Sequence, residues 1–359
     1  MVPDKEKRTL FEFLLTNKKI IIGILTMILI VVMLLFVDFL TLVNRIIAFG
    51  FAGTLSFIIL YTLVFILRTY KLKLIFKGLG HEISFSTIYF SIGACFAIND
   101  LTPGKIGDLA KIFIIKDQSE LDLGNSTAGV SIERVLDLIL LFLISAFALV
   151  YLNIVHIDTT SEILVLGQGI QFYLIVGALL IFALLIFFLF IFYKTEFVLK
   201  IIRKISPKIA SYLNRFLNSF KKGIKKFKEN KKYFITTILL GFPTWIADAC
   251  IIVLFFYFSG FPLNIFLLIL ASILLFFSKF FPITPGGWGI SENIGAFFII
   301  IFYPYFYYTD ILSIFIMTHL FRSAYLLFFG GFSIFHYNIK LREIENLEVN
   351  NFENDIKNE

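Results

Sequence analysis

Thr102-Pro103-Gly104-Lys105-Ile106-Gly107-Asp108 interrupts one apolar run, and Thr284-Pro285-Gly286-Gly287-Trp288-Gly289-Ile290-Ser291-Glu292 interrupts another half a chain later. Proline lacks an N–H and constrains its predecessor, and glycine tolerates positive φ, so a helix entering either stretch stops there. Residues 85–98 lead into the first stretch, and the mixed segment 105–115 leaves it. Residues 264–281 and 288–302 flank the second. Each region is expected to form two half-helices meeting at a turn, a re-entrant hairpin. Such backbone is tolerated at membrane depth only when it is buried in protein or lines a wet cavity. The alternative is a tight loop at the membrane surface between two full spans.

The rest of the chain puts these stretches in a bilayer. Of 359 residues, 59% are hydrophobic and 16% charged, with 47 Phe; the mean hydropathy is +0.91. Soluble domains run near 45–50% apolar and about 25% charged. No single core hides the excess, so most of it faces lipid. The expected fold is an all-α polytopic membrane protein with about six full spans plus two broken, re-entrant helical hairpins in an inverted repeat. A span needs about 20 apolar residues. Spans are expected at 20–37, 46–67, 125–151, 170–192, 233–258 and 311–332. The first is read as retained, because its apolar core is long and no A-x-A-like exit follows. The membrane domain is expected over 20–335, with a first unit at about 46–151 and a second at about 233–332.

Basic residues set the orientation. Residues 1–19 carry Lys5, Lys7, Arg8, Lys18 and Lys19, and the second span is followed by Arg68, Lys71, Lys73 and Lys77. Residues 194–232 hold 13 Lys/Arg against two acids, an excess larger than the +7 of the whole chain. The loop 152–169 has Asp158 and Glu162 but no Lys or Arg. Both termini and the basic loop are therefore expected in the cytoplasm, with the protein in the cell membrane. Ile209, Leu213, Phe216, Phe220, Ile224 and Phe227 recur at helical spacing, which fits an amphipathic helix on the anionic leaflet; a solvated basic loop is the alternative. Residues 336–359 form an acidic tail expected to be disordered.

Cys95 and Cys250 lie in apolar stretches and suggest no disulfide framework. The four scattered histidines have no metal-ligand spacing, and no GxxxxGK[ST] is present. Neither cofactor, metal, nucleotide motor nor nucleic-acid partner is expected.

The two interrupted regions also echo each other. Arg134 follows Asp108 by 26 residues and Arg322 follows Glu292 by 30, each inside an apolar helix. If the hairpins enter from opposite sides, the units are inverted copies, an arrangement that builds a midplane site with two-sided access. A charge at that depth costs at least about 2.5–3.5 kcal/mol, so its presence asks for a reason. Glu133 and Asp137 share a helix face, as do His319 and Arg322. Helices starting after the turns present free N–H groups at depth. An arginine beside such an end is a cradle for phosphate. In the first unit the candidate substrate-binding residues are Thr102, Gly104, Lys105, Gly107, Asp108, Glu133, Arg134 and Asp137. In the second they are Thr284, Gly286, Gly287, Glu292 and Arg322. Glu133, Arg134 and Asp137 have a second reading, in which they pair with each other, Lys105 or Arg322 and lock the helices. Asp248, midway along the fifth span, suits either a backbone hydrogen bond or proton transfer.

These motifs, Asn99-Asp100-Leu101-Thr102-Pro103-Gly104-Lys105-Ile106-Gly107-Asp108 with Glu133-Arg134, then Phe281 to Glu292, resemble the flippase-like membrane region of the lysylphosphatidylglycerol synthase family. The resemblance covers about residues 15–335. It implies translocation of a phospholipid or lipid-linked substrate, and lipid modification by a separate enzyme rather than aminoacyl transfer by this chain alone. Asp108 and Lys111 stand where the resemblance leads one to expect glutamate and arginine; charge is kept, while the acid is shorter and the bidentate fork is gone. The alternatives are an intramembrane transferase with Glu133 or Asp108 as base, and a non-catalytic membrane partner subunit.

Overall fold

The structure, a computed structural model, describes residues 39–102, 106–154, 194–205, 207–279 and 284–337, and the isolated positions 179, 182, 183, 186 and 190. The described residues form ten α-helices and no strand. The expected spans at 20–37 and 170–192 lie outside them, apart from those isolated positions, as do Gly104, Lys105 and the acidic tail beyond residue 337.

Four helices carry the membrane domain. α1 (Phe39–Gly78), α4 (Leu123–Ile154), α7 (Lys231–Phe258) and α10 (Tyr308–His336) are each long and apolar enough to cross a bilayer. Between α1 and α4 run the short α2 (Phe85–Leu101) and α3 (Gly107–Gln118). Between α7 and α10 run the short α8 (Ile265–Ser278) and α9 (Ser291–Phe302), with a 3-10 turn at Pro285–Gly287. The order is thus long, short, T-P-G break, short, long, twice over.

The repetition extends to the turns. Gly80 (φ 84°) ends α1 and Gly260 (φ 79°) ends α7, each adopting the left-handed backbone that glycine accepts without strain. His81 N–H returns to the Phe76 carbonyl and Phe261 N–H to that of Phe256, both at 2.9 Å. Four residues past each glycine stands the next N-cap: Ser84 accepts from Thr87 N–H at 3.1 Å, and Asn264 accepts from Phe266 N–H at 2.9 Å. Capping satisfies donors that the first helical turn leaves open.

The packing repeats as well. α1 lies along α7; α2 packs on α10 as α8 packs on α4; each short pair packs on itself. Small residues permit the close approach of α2 and α10: a Cβ added at Gly330 would lie 2.3 Å from Ala97 Cβ. A buried aromatic seam fills the space between α1, α7 and α10, with Phe49 and Phe255 stacked at 4.5 Å and Phe57 edge-on to Phe321 at 5.7 Å.

Two expectations are corrected in detail. The second span does not end at 67: α1 continues through Arg68 and Lys71, which are 3% and 0% exposed and turn into the core instead of flanking the span. The expected basic amphipathic helix is present as α6 (Pro207–Glu229), preceded by α5 (Thr195–Ile205). Part of its apolar stripe is covered by protein rather than lipid. Leu217 and Phe227 are buried, α6 packs on α4, and the Phe227 ring presses on Gly78. Lys221, Lys222, Lys225 and Lys228 remain exposed.

Candidate functional site

The two broken regions meet. A Cβ on Gly286 would stand 2.8 Å from the Asp100 carbonyl oxygen and 2.9 Å from its carboxylate. Gly286 also has φ 61°, so the position requires glycine for both backbone and space. The first break is closed by a similar approach. The Asn99 side chain accepts the Gly107 N–H at 2.9 Å, and a Cβ on Gly107 would fall 2.0 Å from the Cys95 carbonyl.

A cavity of about 150 Å³ opens where the tips touch. Of the residues named from sequence, it is lined by Thr102 and Arg134 from the first unit and by Thr284, Gly286, Gly287, Glu292 and Arg322 from the second. Arg134 and Arg322, 188 positions apart in the chain, therefore face one space. Gly104 and Lys105 lie outside the described residues. Gly107, Asp108, Glu133 and Asp137 stand behind the wall rather than on it.

The residues behind the wall are paired. Asp108 binds Arg134 and accepts from the Cys95 thiol at 3.1 Å. Lys111 meets Glu133 at 2.6 Å, with the two side chains 1% and 3% exposed. Lys71 binds Asp137, which also accepts from the Trp245 indole at 2.9 Å. The Arg68 guanidinium lies over that same indole at 4.6 Å and over Phe96 at 5.0 Å. Arg68 also reaches Asp248 at 3.7 Å.

On the wall itself, Arg322 donates to Asp248 at 3.2 Å and to its backbone carbonyl at 3.0 Å, and it covers Tyr61 at 5.3 Å. His319 connects the two breaks. Its Nδ1 contacts the Glu292 carboxylate, its Nε2 lies 3.5 Å from Asp100, and its ring stacks on Trp288 at 4.0 Å. Glu292 in turn accepts the Gly289 N–H at 2.8 Å and the Ser291 hydroxyl at 3.0 Å.

The family model described as lysylphosphatidylglycerol synthase TM region matches residues 20–336. The chain belongs to this family. The match includes every helix just described. No curated protein and no solved structure matches the chain. The lysylphosphatidylglycerol synthase TM region is that of a membrane protein of lipid-modifying or flippase-like kind.

Arg68, Asp100 and Lys279 also line the cavity of this family member, beyond the binding residues that the sequence suggests. Arg68 carried a legible signal. It sits on the helical face of Tyr61, Val64, Phe65, Leu72 and Ile75, all buried, where a flanking cation would break the stripe. Lys279, beside a proline-rich break, carried none.

A cavity lined by several guanidinium groups has the donors to hold an oxyanion, because charge-assisted hydrogen bonds are about twice as strong as neutral ones. The volume is below the roughly 300–1,000 Å³ of drug-sized ligand sites.

Proposed function

We propose that the protein moves a phospholipid or lipid-linked molecule between leaflets, with the headgroup passing through the cavity between the two units and the hydrocarbon remaining in the membrane. The observation that carries this is the convergence of Arg134 and Arg322, with both break regions, on one space. Buried charge is expensive, and a cavity that gathers it from both halves has the chemistry of a headgroup site. The matching order and pairing of the helices in the two units support an inverted repeat with two re-entrant hairpins, which gives a central site two-sided access. The exposed lysines of α6 support a cytoplasmic location for the basic segment. Asp248, held by two arginines, serves as their counter-ion, and Glu133 and Asp137 serve as internal partners of lysines.

The test is a fluorescent phospholipid in liposomes, with dithionite quenching of the outer leaflet. The protein should let the inner-leaflet pool become quenched well above the protein-free rate. Arg322→Ala should return it to that rate while the protein still elutes as a folded species from size exclusion. Transport unaffected by the substitution, or no acceleration with any headgroup, defeats the proposal. Recovery of a chemically altered lipid would favour a transferase instead.

A further inference from the structure

The charges lining the cavity are unevenly spent. Arg134 is held by Asp108, and Arg68 and Arg322 share Asp248. Asp100 and Glu292 are both engaged by His319. Among the described residues, Lys279 has no ion-pair partner within 4 Å, although Asp100, Glu292, Asp248 and Arg322 all act on it electrostatically. Its stem lies against the second break: a Cβ on Gly287 would be 2.9 Å from Lys279 Cγ. Close by in the same break, Thr284 is 4% exposed, and its hydroxyl has no hydrogen-bond partner among the described residues. The His319 Nε2 is likewise buried without a hydrogen bond, its approach to Asp100 being the 3.5 Å contact. Buried polar atoms are nearly always paired, so each such group asks for an explanation. A buried hydroxyl and an unpaired ammonium on the wall of one cavity are explained by a ligand that completes both.

We propose that Lys279 and Thr284 form the seat of one oxyanion, the phosphodiester of a lipid or a free phosphate, so that the second unit receives the negative charge. This rests on the translocator reading and assigns the headgroup's phosphate to one side of the cavity. An ammonium supplies up to three donors and Thr284 one more, enough for the unesterified oxygens of a phosphodiester. The arginines, already committed to carboxylates, then act on the neighbouring parts of the headgroup. Gly286 and Gly287 keep the backbone side of the seat free of side chain.

Native mass spectrometry of the purified full chain can test this with three probes: short-chain phosphatidylglycerol, the diacylglycerol of the same chains, and inorganic phosphate. The unaltered protein should bind phosphatidylglycerol but not diacylglycerol. Competition by inorganic phosphate alone would identify a free-anion site, and its failure to compete a lipid site. Lys279→Gln and Thr284→Val should each weaken phosphatidylglycerol binding by about tenfold or more, as expected for hydrogen bonds to a charged group, and Lys279→Arg should retain it. Thr284→Val removes a hydroxyl that has no partner among the described residues, so it should fold as well as the parent. Equal binding by parent and both variants, or no phosphate-dependent binding by the parent, overturns the proposal. The liposome assay separates the two readings. Lost binding in the variants with a parent that never moves lipid keeps the seat and removes translocation, whereas normal transport by Lys279→Gln removes the seat and keeps translocation.

Discussion

In the first unit the cations Lys71, Lys111 and Arg134 each meet an acid of the same unit, namely Asp137, Glu133 and Asp108. In the second unit Lys279 has no such partner among the described residues, Arg322 looks onto the cavity from Asp248, and Glu292 is tied to a histidine that also touches the first unit. The helical skeletons match down to their glycine turns and caps, so the difference is one of charge placement. Arg68 and Asp248 make the relation explicit, since each precedes its turn glycine by 12 residues and the two contact one another across the interface. The matching architecture thus braces the first unit with the buried lysine pairs behind the cavity wall, while the second unit leaves Lys279 on that wall without an ion-pair partner among the described residues.

The comparison breaks most severely at Lys71. Lys71→Met leaves Asp137 buried beside Trp245 without its cation, and removing one partner of a buried pair costs about 3–5 kcal/mol. Thermal unfolding in detergent should show a large loss, and Lys71→Met with Asp137→Leu should recover most of it, since an apolar replacement of a buried pair is often neutral. A well-folded single variant would end the description of the first unit as a brace.

Next come the glycines of the two breaks. Gly107→Ala and Gly286→Ala force a Cβ into backbone at 2.0 Å and 2.8 Å, and overpacking of this kind costs typically 1–3 kcal/mol. The first clash is within one unit and the second is between units. Gly107→Ala should therefore lower the melting temperature most, whereas Gly286→Ala should alter lipid movement more than it alters unfolding. If the two variants behaved alike in both measurements, the distinction between internal and shared contacts would fail.

The smallest effect sharpens the likeness rather than the difference. Ser84→Ala and Asn264→Ala remove corresponding caps, each worth about 1 kcal/mol, and calorimetry should find the two losses similar. Markedly unequal losses would mean that the short helices are not equivalent supports.

Sequence made the long helices and the broken regions legible because apolar windows and T-P-G turns are local signals. The pairing of the charges was not local. Lys111 and Glu133 lie 22 positions apart and Lys71 and Asp137 lie 66 apart, so which acid meets which base is decided by packing. Arg68 and Lys71 look like flanking charges when a span is taken to end at its first cation, although their apolar neighbours continue the same helical face. The cap pairs Gly80–Ser84 and Gly260–Asn264 were a repeat signal already present, at identical spacing, and stronger than T-P-G alone.

The contact of Gly286 with the Asp100 carbonyl has a mechanical consequence. Nothing larger than hydrogen fits between them, so any side chain at 286 has to push the two breaks apart. His319 spans the same seam, contacting Glu292 on one side and Asp100 on the other. A methyl group at residue 286 would act as a wedge between the two halves of the molecule.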